Sequence, residues 1–410
     1  MLIHWIWLAT RPELSDRLKL ATLEVFRNPE DVFYGDQEHY AKVEGMTQAG
    51  AEALADKNLT HAQQILDDCV EKGIQICTFH DAAYPVRLKN IVDPPLVLYY
   101  KGNLTGLDTR PVIGVVGTRK ASAYGLNTSK KMGYQIAKCG GILVSGLAEG
   151  NDGSAMAGAL MAGGKVVGIL GCGADVVYPA FHRSLYKDTE RNGCLISEFP
   201  PKTPPYAWNF PKRNRLISGL SNGILVVEAP LKSGSLITAR DALEQGRDVF
   251  VVPGNIDVET CKGSNALLRD GAIAVSSGWD VVSEYASLYP DKIRQEDGDT
   301  IFLSEQEKSE PKVAQRPIQP AKRSPFDRKN EKKPIDKEEK KSYSVQQDVL
   351  DSLSQEEREL LKPLCKGTML VDDLIAAGKL PTSKVLSMLT MLQIRGVIEL
   401  LPGKRVALKQ

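Results

Sequence analysis

The sequence predicts an α/β protein. Its core is a Rossmann-like, doubly wound parallel sheet, preceded by an all-helical domain and followed by a winged-helix domain. Three observations carry this reading. From Val112 onward, short continuous apolar runs alternate with helical stretches, as in parallel strands buried on both faces. Before them, apolar residues recur at three- and four-residue spacing. The far end combines helical spacing with an apolar hairpin pattern.

With 410 residues, two to three domains are expected. Hydrophobic content of 42% and charged content of 25% fit a soluble globular chain. Basic and acidic residues number 52 and 51, a net charge of +1, so any affinity for nucleic acid has to come from a local patch. Seven cysteines occur with no C-x-x-C pair, the pattern of reduced, buried thiols in a cytoplasmic protein. No apolar run approaches the length of a membrane span, and Met1–Leu8 lacks the flanks of a signal peptide.

Residues 1–80 form the helical domain. Leu18, Ala21, Leu23, Val25 and Phe26 give one helix, ended by Pro29. Ala51–Lys57 and Asn58–Lys72 give two more. The turn at Gly45 resembles a helix-hairpin-helix only weakly, and an ordinary helical domain fits better. Residues 81–290 form the core. Ile74–Phe79 is a short strand ahead of it. The core strands are Val112–Val116, Ile142–Ser145, Val166–Leu170, Leu195–Ser197, Ile224–Val227 and Val249–Val252, with Ala272–Val275 as a further candidate. Helices fill about 122–139, 151–163, 180–192, 234–245 and 263–270. Residues 291–344 lose periodicity and read as a charged, disordered linker. Residues 345–410 read as a winged helix, with helices at Gln355–Leu364, Val371–Ala377 and from Pro381, then a hairpin from Gly396 to Leu408. Val385, Leu386, Leu389, Leu392 and Ile394 face inward in the third helix. Its exposed face carries only two cations, Lys384 and Arg395, so docking to a protein fits as well as gripping a duplex.

Ligands of such sheets bind beyond the carboxyl ends of the strands. The sequences there are Gly117-Thr118-Arg119, Ser145-Gly146-Leu147, Gly171-Cys172-Gly173, Glu198-Phe199-Pro200, Glu228 and the Ser233-Gly234-Ser235 turn. Asn209–Arg215 reads as an aromatic and basic loop. Lys212, Arg213, Asn214 and Arg215 stand close to Phe210, a combination suited to phosphate oxygens and unstacked bases. A dinucleotide fingerprint at Gly168–Gly173 lacks its helix, and no P-loop occurs. Gly219-Leu220-Ser221-Asn222-Gly223 precedes its strand rather than following it, so it is no nucleophile elbow. Asp152, Asp175, Glu198 and Glu228 all lie near strand ends. They either converge as the acids of a nucleotide hydrolase or cap helices and pair with the nearby arginines.

The order Gly117-Thr118-Arg119, Ser145-Gly146-Leu147-Ala148, Tyr178-Pro179, Ser197-Glu198-Phe199-Pro200, Phe210–Ser221, Ser233–Ala239 and Val252-Pro253-Gly254 resembles the DNA-processing protein DprA/Smf family. The resemblance covers about residues 85–285, and its combination of motifs is specific. It implies a cytoplasmic single-stranded-DNA binder without catalytic activity, cofactor or metal. Such a protein dimerises through its core and helps load RecA recombinase during DNA uptake and recombination. It further implies phosphate contacts by Arg119, Lys212, Arg213 and Arg215, and backbone amides supplied by the Ser145–Leu147 and Ser233–Ser235 turns. Gly117, Thr118, Phe210 and Asn214 complete the expected site. The family pattern S-G-L-A-R-G-I-D, with His four residues later, is altered here. Glu149, Asn151 and Met156 stand in place of its Arg, Ile and His.

Overall fold

A computed structural model describes residues 1–295 and, further on, 360–366, 368–370, 373–374, 385, 388–389, 392, 397–401 and 405–408. The chain divides into two compact units, Met1–Ala314 and Gln315–Gln410.

The first unit opens with six short helices: α1 (Leu2–Ala9), α2 (Asp16–Phe26), α3 (Pro29–Tyr34), α4 (Gln37–Tyr40), α5 (Gln48–Ala55) and α6 (Thr60–Glu71). Pro29 does more than end α2. Asn28 caps α3, its side chain accepting from the Asp31 amide at 2.8 Å, and Pro29 opens that helix, where its missing N–H costs nothing. Trp5, Ile6, Trp7 and Leu8 are buried in the same cluster as Val97 and Tyr99 of the sheet. The boundary read at residue 80 therefore falls inside one packed unit.

The sheet has nine strands: β1 (Gln75–Thr78), β2 (Val97–Gly102), β3 (Val112–Val116), β4 (Ile142–Ser145), β5 (Val166–Leu170), β6 (Gly193–Ser197), β7 (Gly223–Val226), β8 (Asp248–Val251) and β9 (Ile273–Ala274). Their order is β1-β2-β6-β5-β4-β3-β7-β8-β9. β3 to β9 are parallel, and β1 and β2 add an antiparallel edge. The remaining helices of this unit are α7 (Val86–Lys89), α8 (Ala123–Lys138), α9 (Asn151–Met161), α10 (Arg183–Asn192), α11 (Asn209–Leu220), α12 (Gly234–Glu244), α13 (Lys262–Arg269) and α14 (Gly278–Val282). Met132, Ile136, Ala155 and Val281 from α8, α9 and α14 pack on one face of the sheet. Leu88, Leu216, Ile217, Leu220, Ala239 and Ala242 from α7, α11 and α12 pack on the other. This is the doubly wound arrangement, and its strand order reverses between β3 and β7.

Helices α8 and α9 touch backbone to backbone. A Cβ at Gly158 would lie 1.9 Å from the Lys130 carbonyl oxygen, and one at Gly133 would lie 2.1 Å from that of Ala155. Gly158→Ala must push the helices apart and is expected to cost about 1–3 kcal/mol in urea unfolding. An unchanged unfolding midpoint would contradict this crossing.

The second unit has a core of Leu360, Leu361, Leu364, Leu374, Val385, Leu389, Leu392, Val397, Ile398 and Val406. The expected hairpin is present as β11 (Ile398–Leu401) paired with β12 (Arg405–Leu408), and β10 (Met369–Leu370) joins the far side of β12. Val385, Leu389 and Leu392 are inward as expected. Leu386, Ile394, Lys384, Arg395 and nearly all of the 291–344 linker lie outside the described residues. Among the described residues no helix is long and apolar enough to cross a membrane. Among the described residues, six cysteines are buried as thiols, outside any disulfide. Burial pushes the Cys69 and Cys172 thiols up to about 11, which leaves them unreactive.

Candidate nucleic-acid interface

A cleft of about 510 Å3 opens at the reversal point between β3 and β7, beyond their carboxyl ends. Ligands of open α/β sheets bind at this place. Gly117, Thr118 and Arg119 after β3 form one wall. Pro230, Lys232 and Ser233–Ser235 after β7 form the second. Phe210 and Asn214 of α11 form the floor, with Tyr178 beside them.

The basic stretch is a helix, not a loop. Pro211 and two asparagines read as turn signals. However, Pro is tolerated in a first helical turn, and Leu216, Ile217 and Leu220 supply a buried stripe. The helical period then separates the cations. Phe210, Asn214 and Ile217 share the cleft face, whereas Lys212 and Arg215 point away from it. Arg215 is buried against Glu198, with Asp16 and Asp93 each at 3.3 Å. Lys212 lies 3.6 Å from both Asp16 and Glu198. Neither is placed to meet a phosphate in the cleft.

Arg213 reaches the cleft floor, but only 4% of it is exposed. It donates to the Gly146 carbonyl at 2.8 Å and to the Ile169 carbonyl, tying β4 to β5 from below. Burial pushes its guanidinium down and the Asp152 carboxyl up, while the opposite charges pull against both shifts. The Ser145–Leu147 turn is likewise structural. The Ser145 hydroxyl donates to Val115 at 2.7 Å, and the Gly146 amide donates to Asp152 at 3.2 Å. Leu147 is buried. Of the expected residues, Ser145, Gly146, Leu147, Lys212 and Arg215 therefore stand outside the cleft, and Arg213 is a strut beneath it.

Those that do converge are Gly117, Thr118, Arg119, Phe210, Asn214, Ser233, Gly234 and Ser235. The Arg119 guanidinium sits 5.1 Å from the Phe210 ring centre, a cation–π distance. Ser233 caps α12, its hydroxyl accepting from the Ser235 amide at 3.3 Å, so the positive end of an 11-residue helix faces the cleft. The Asn214 amide reaches the Gly234 carbonyl at 3.4 Å and joins floor to wall.

Each of the four strand-end carboxylates has partners. Glu228 accepts from the Ser122 amide at 2.9 Å and the Ser122 hydroxyl at 2.6 Å. Asp175 accepts from the Lys202 amide at 2.9 Å and pairs with Lys72 at 3.5 Å. Glu198 binds Arg215, and Asp152 binds the Gly146 amide. Only Asp152 lines the cleft. Glu149 is exposed and faces a separate groove with His182, so it does not oppose the cations of the cleft. Met156 is core, and Asn151 is buried against Ser129.

The expected site left out four contributors. Lys232 lines the cleft as an exposed second cation, and its place directly before the Ser233 cap was the available signal. Neither Arg119 nor Lys232 has an ion-pair partner among the described residues. Tyr178 lies 5.4 Å from Phe210, ring to ring. Tyr206 and Trp208 stack at 4.7 Å with a 9° interplanar angle beside the lining residues Pro205 and Ala207.

Residues 75–286 match the model of the DNA recombination-mediator protein A family, and 346–404 match the DprA winged helix domain. The chain is 43% identical over 214 residues to DNA processing protein DprA of Bacillus subtilis, covering 52% of this chain and 72% of that protein. It is 44% identical over 200 residues to protein Smf of Escherichia coli, covering 48% of this chain and 53% of that protein. The X-ray structure of DprA from Streptococcus pneumoniae aligns with a TM-score of 0.61 at 32% identity, over 69% of this chain and 98% of that one. The family match spans the sheet, the cleft and the winged helix: the chain belongs to the DprA/Smf family of DNA recombination-mediator proteins.

Proposed function

We propose that this protein binds single-stranded DNA in the cleft without chemically altering it, protects the strand, and helps load RecA recombinase onto it. The observation that carries the reading is the pairing of two cations without an ion-pair partner among the described residues, Arg119 and Lys232, with the α12 N-terminus across an aromatic floor. Phosphates take the cations and the Ser233–Ser235 amides, while unpaired bases take the rings. The RecA partner, a homodimer formed through the core and a cytoplasmic setting are parts of the proposal that rest on family membership. The alternative, a nucleotide hydrolase, needs two carboxylates flanking one substrate, and of the four candidates only Asp152 lines the cleft.

The test is fluorescence anisotropy with a labelled oligothymidylate at several salt concentrations. Arg119→Ala with Lys232→Ala is expected to weaken binding and to lower the log–log salt slope by about 1.4, or about 0.7 per lost phosphate contact. Unchanged affinity in this double variant would sink the reading.

A further inference from the structure

We propose a second site for a nucleic-acid backbone at the opposite end of the sheet, where β3, β4 and β5 begin. A cleft of about 850 Å3 opens there. Among the described residues, Arg110, Lys138, Lys165, Lys292 and Arg294 line it, with Asp291 as the one carboxylate. In a chain with a net charge of +1 this is a local concentration, not a share of a general excess.

A plainer account is that these cations answer helix ends. Helices α8 and α9 both finish here, and a helix C-terminus carries about half a negative charge. Lys138 and Arg294 have contacts of their own; against the other three cations, Arg110, Lys165 and Lys292, those two ends and Asp291 offset about two charges, which leaves the described lining positive. Lys138 lies over the Tyr134 ring at 5.4 Å, and Lys165 donates to the Thr105 carbonyl. Arg110 and Lys292 are exposed, and neither has an ion-pair partner among the described residues.

The cationic segment is held in place. The Arg294 amide donates to the Cys139 carbonyl at 3.3 Å, and a Cβ at Gly140 would lie 2.0 Å from the Lys292 carbonyl oxygen. Cations spread along an open cleft suit a chain of phosphates better than a single anion. Membership of a DNA recombination family makes DNA the occupant.

The full chain is titrated with labelled oligothymidylate by anisotropy at several salt concentrations. Arg110→Gln with Lys292→Gln is expected to lower the salt slope by about 1.4, so that the deficit grows about sevenfold between 200 and 50 mM salt. The same change is expected in the Arg119→Ala, Lys232→Ala background. An unchanged slope in both backgrounds overturns the second site. A fall with Arg110→Gln and Lys292→Gln, but none with Arg119→Ala and Lys232→Ala, leaves this site standing and removes the cleft of the proposed function.

Discussion

Arg215→Ala is expected to lower stability by roughly 3–5 kcal/mol, the cost of breaking a buried ion pair from one side. Arg215 is 8% exposed and joins three segments: Asp16 of α2, Asp93, and Glu198 at the end of β6. Without it, Lys212 at 3.6 Å is the one remaining ion-pair partner of Glu198 among the described residues. Burial already pushes the Glu198 carboxyl above its ordinary 4.5, against the downward pull of Arg215 and Lys212. A carboxyl raised in the folded state binds protons more readily there than in the unfolded chain. It therefore costs stability as pH rises from 4.5 through the folded value. Removing Arg215 enlarges that shift, so the penalty should be greater at about pH 8 than at about pH 5. Urea unfolding at the two pH values measures it, and adding Glu198→Gln should recover part of the loss. Equal penalties at both pH values would contradict the assignment. So would a reduced DNA-binding salt slope in folded Arg215→Ala protein, because that would return Arg215 to the phosphates.

The contrast between Arg215 and Arg119 shows what the sequence makes legible. β3, β4 and β5 run residue for residue as their apolar patterns predict, because continuous apolar runs bounded by Gly, Pro and charge leave little choice. The Ser233 cap was legible for the same local reason. Strand order is not a local property: the family resemblance put Arg119 and the Ser233–Ser235 turn in one site, but the apolar pattern by itself did not place β7 beside β3. Lys212, Arg213 and Arg215 are adjacent in sequence yet part company in space. Turn-forming residues concealed the helical period of α11, and only that period tells which cations meet solvent. Glu149 stood out as a reversal of charge beside the expected site. Its side of the turn belongs to another groove, which adjacency in sequence does not reveal.

Trp208→Ala with Tyr206→Ala is expected to weaken single-strand binding by about fivefold or more, since base–aromatic stacking is worth about 1–3 kcal/mol per base. The two rings already stack on each other, and Trp208 remains 70% exposed. An aromatic surface of that size left in water at the rim of a cationic cleft is a platform for an unpaired base. A duplex keeps its base faces covered, so its affinity should change little and the preference for single strands should shrink. The salt slope should stay at its parent value, because no phosphate contact is lost. That separates this loss from the one produced by Arg119→Ala and Lys232→Ala. Fluorescence gives a direct readout: Trp5 and Trp7 are buried, and Trp279 is partly buried against the core and does not line the cleft, so quenching by an oligothymidylate should come chiefly from Trp208 and largely disappear in Trp208→Phe. Trp208→Phe keeps an aromatic face and should keep most of the affinity. If single-strand and duplex binding fell together in the alanine variant, the rings would be supporting the cleft rather than reading bases. The selectivity would then have to come from the spacing of Arg119, Lys232 and the α12 N-terminus alone.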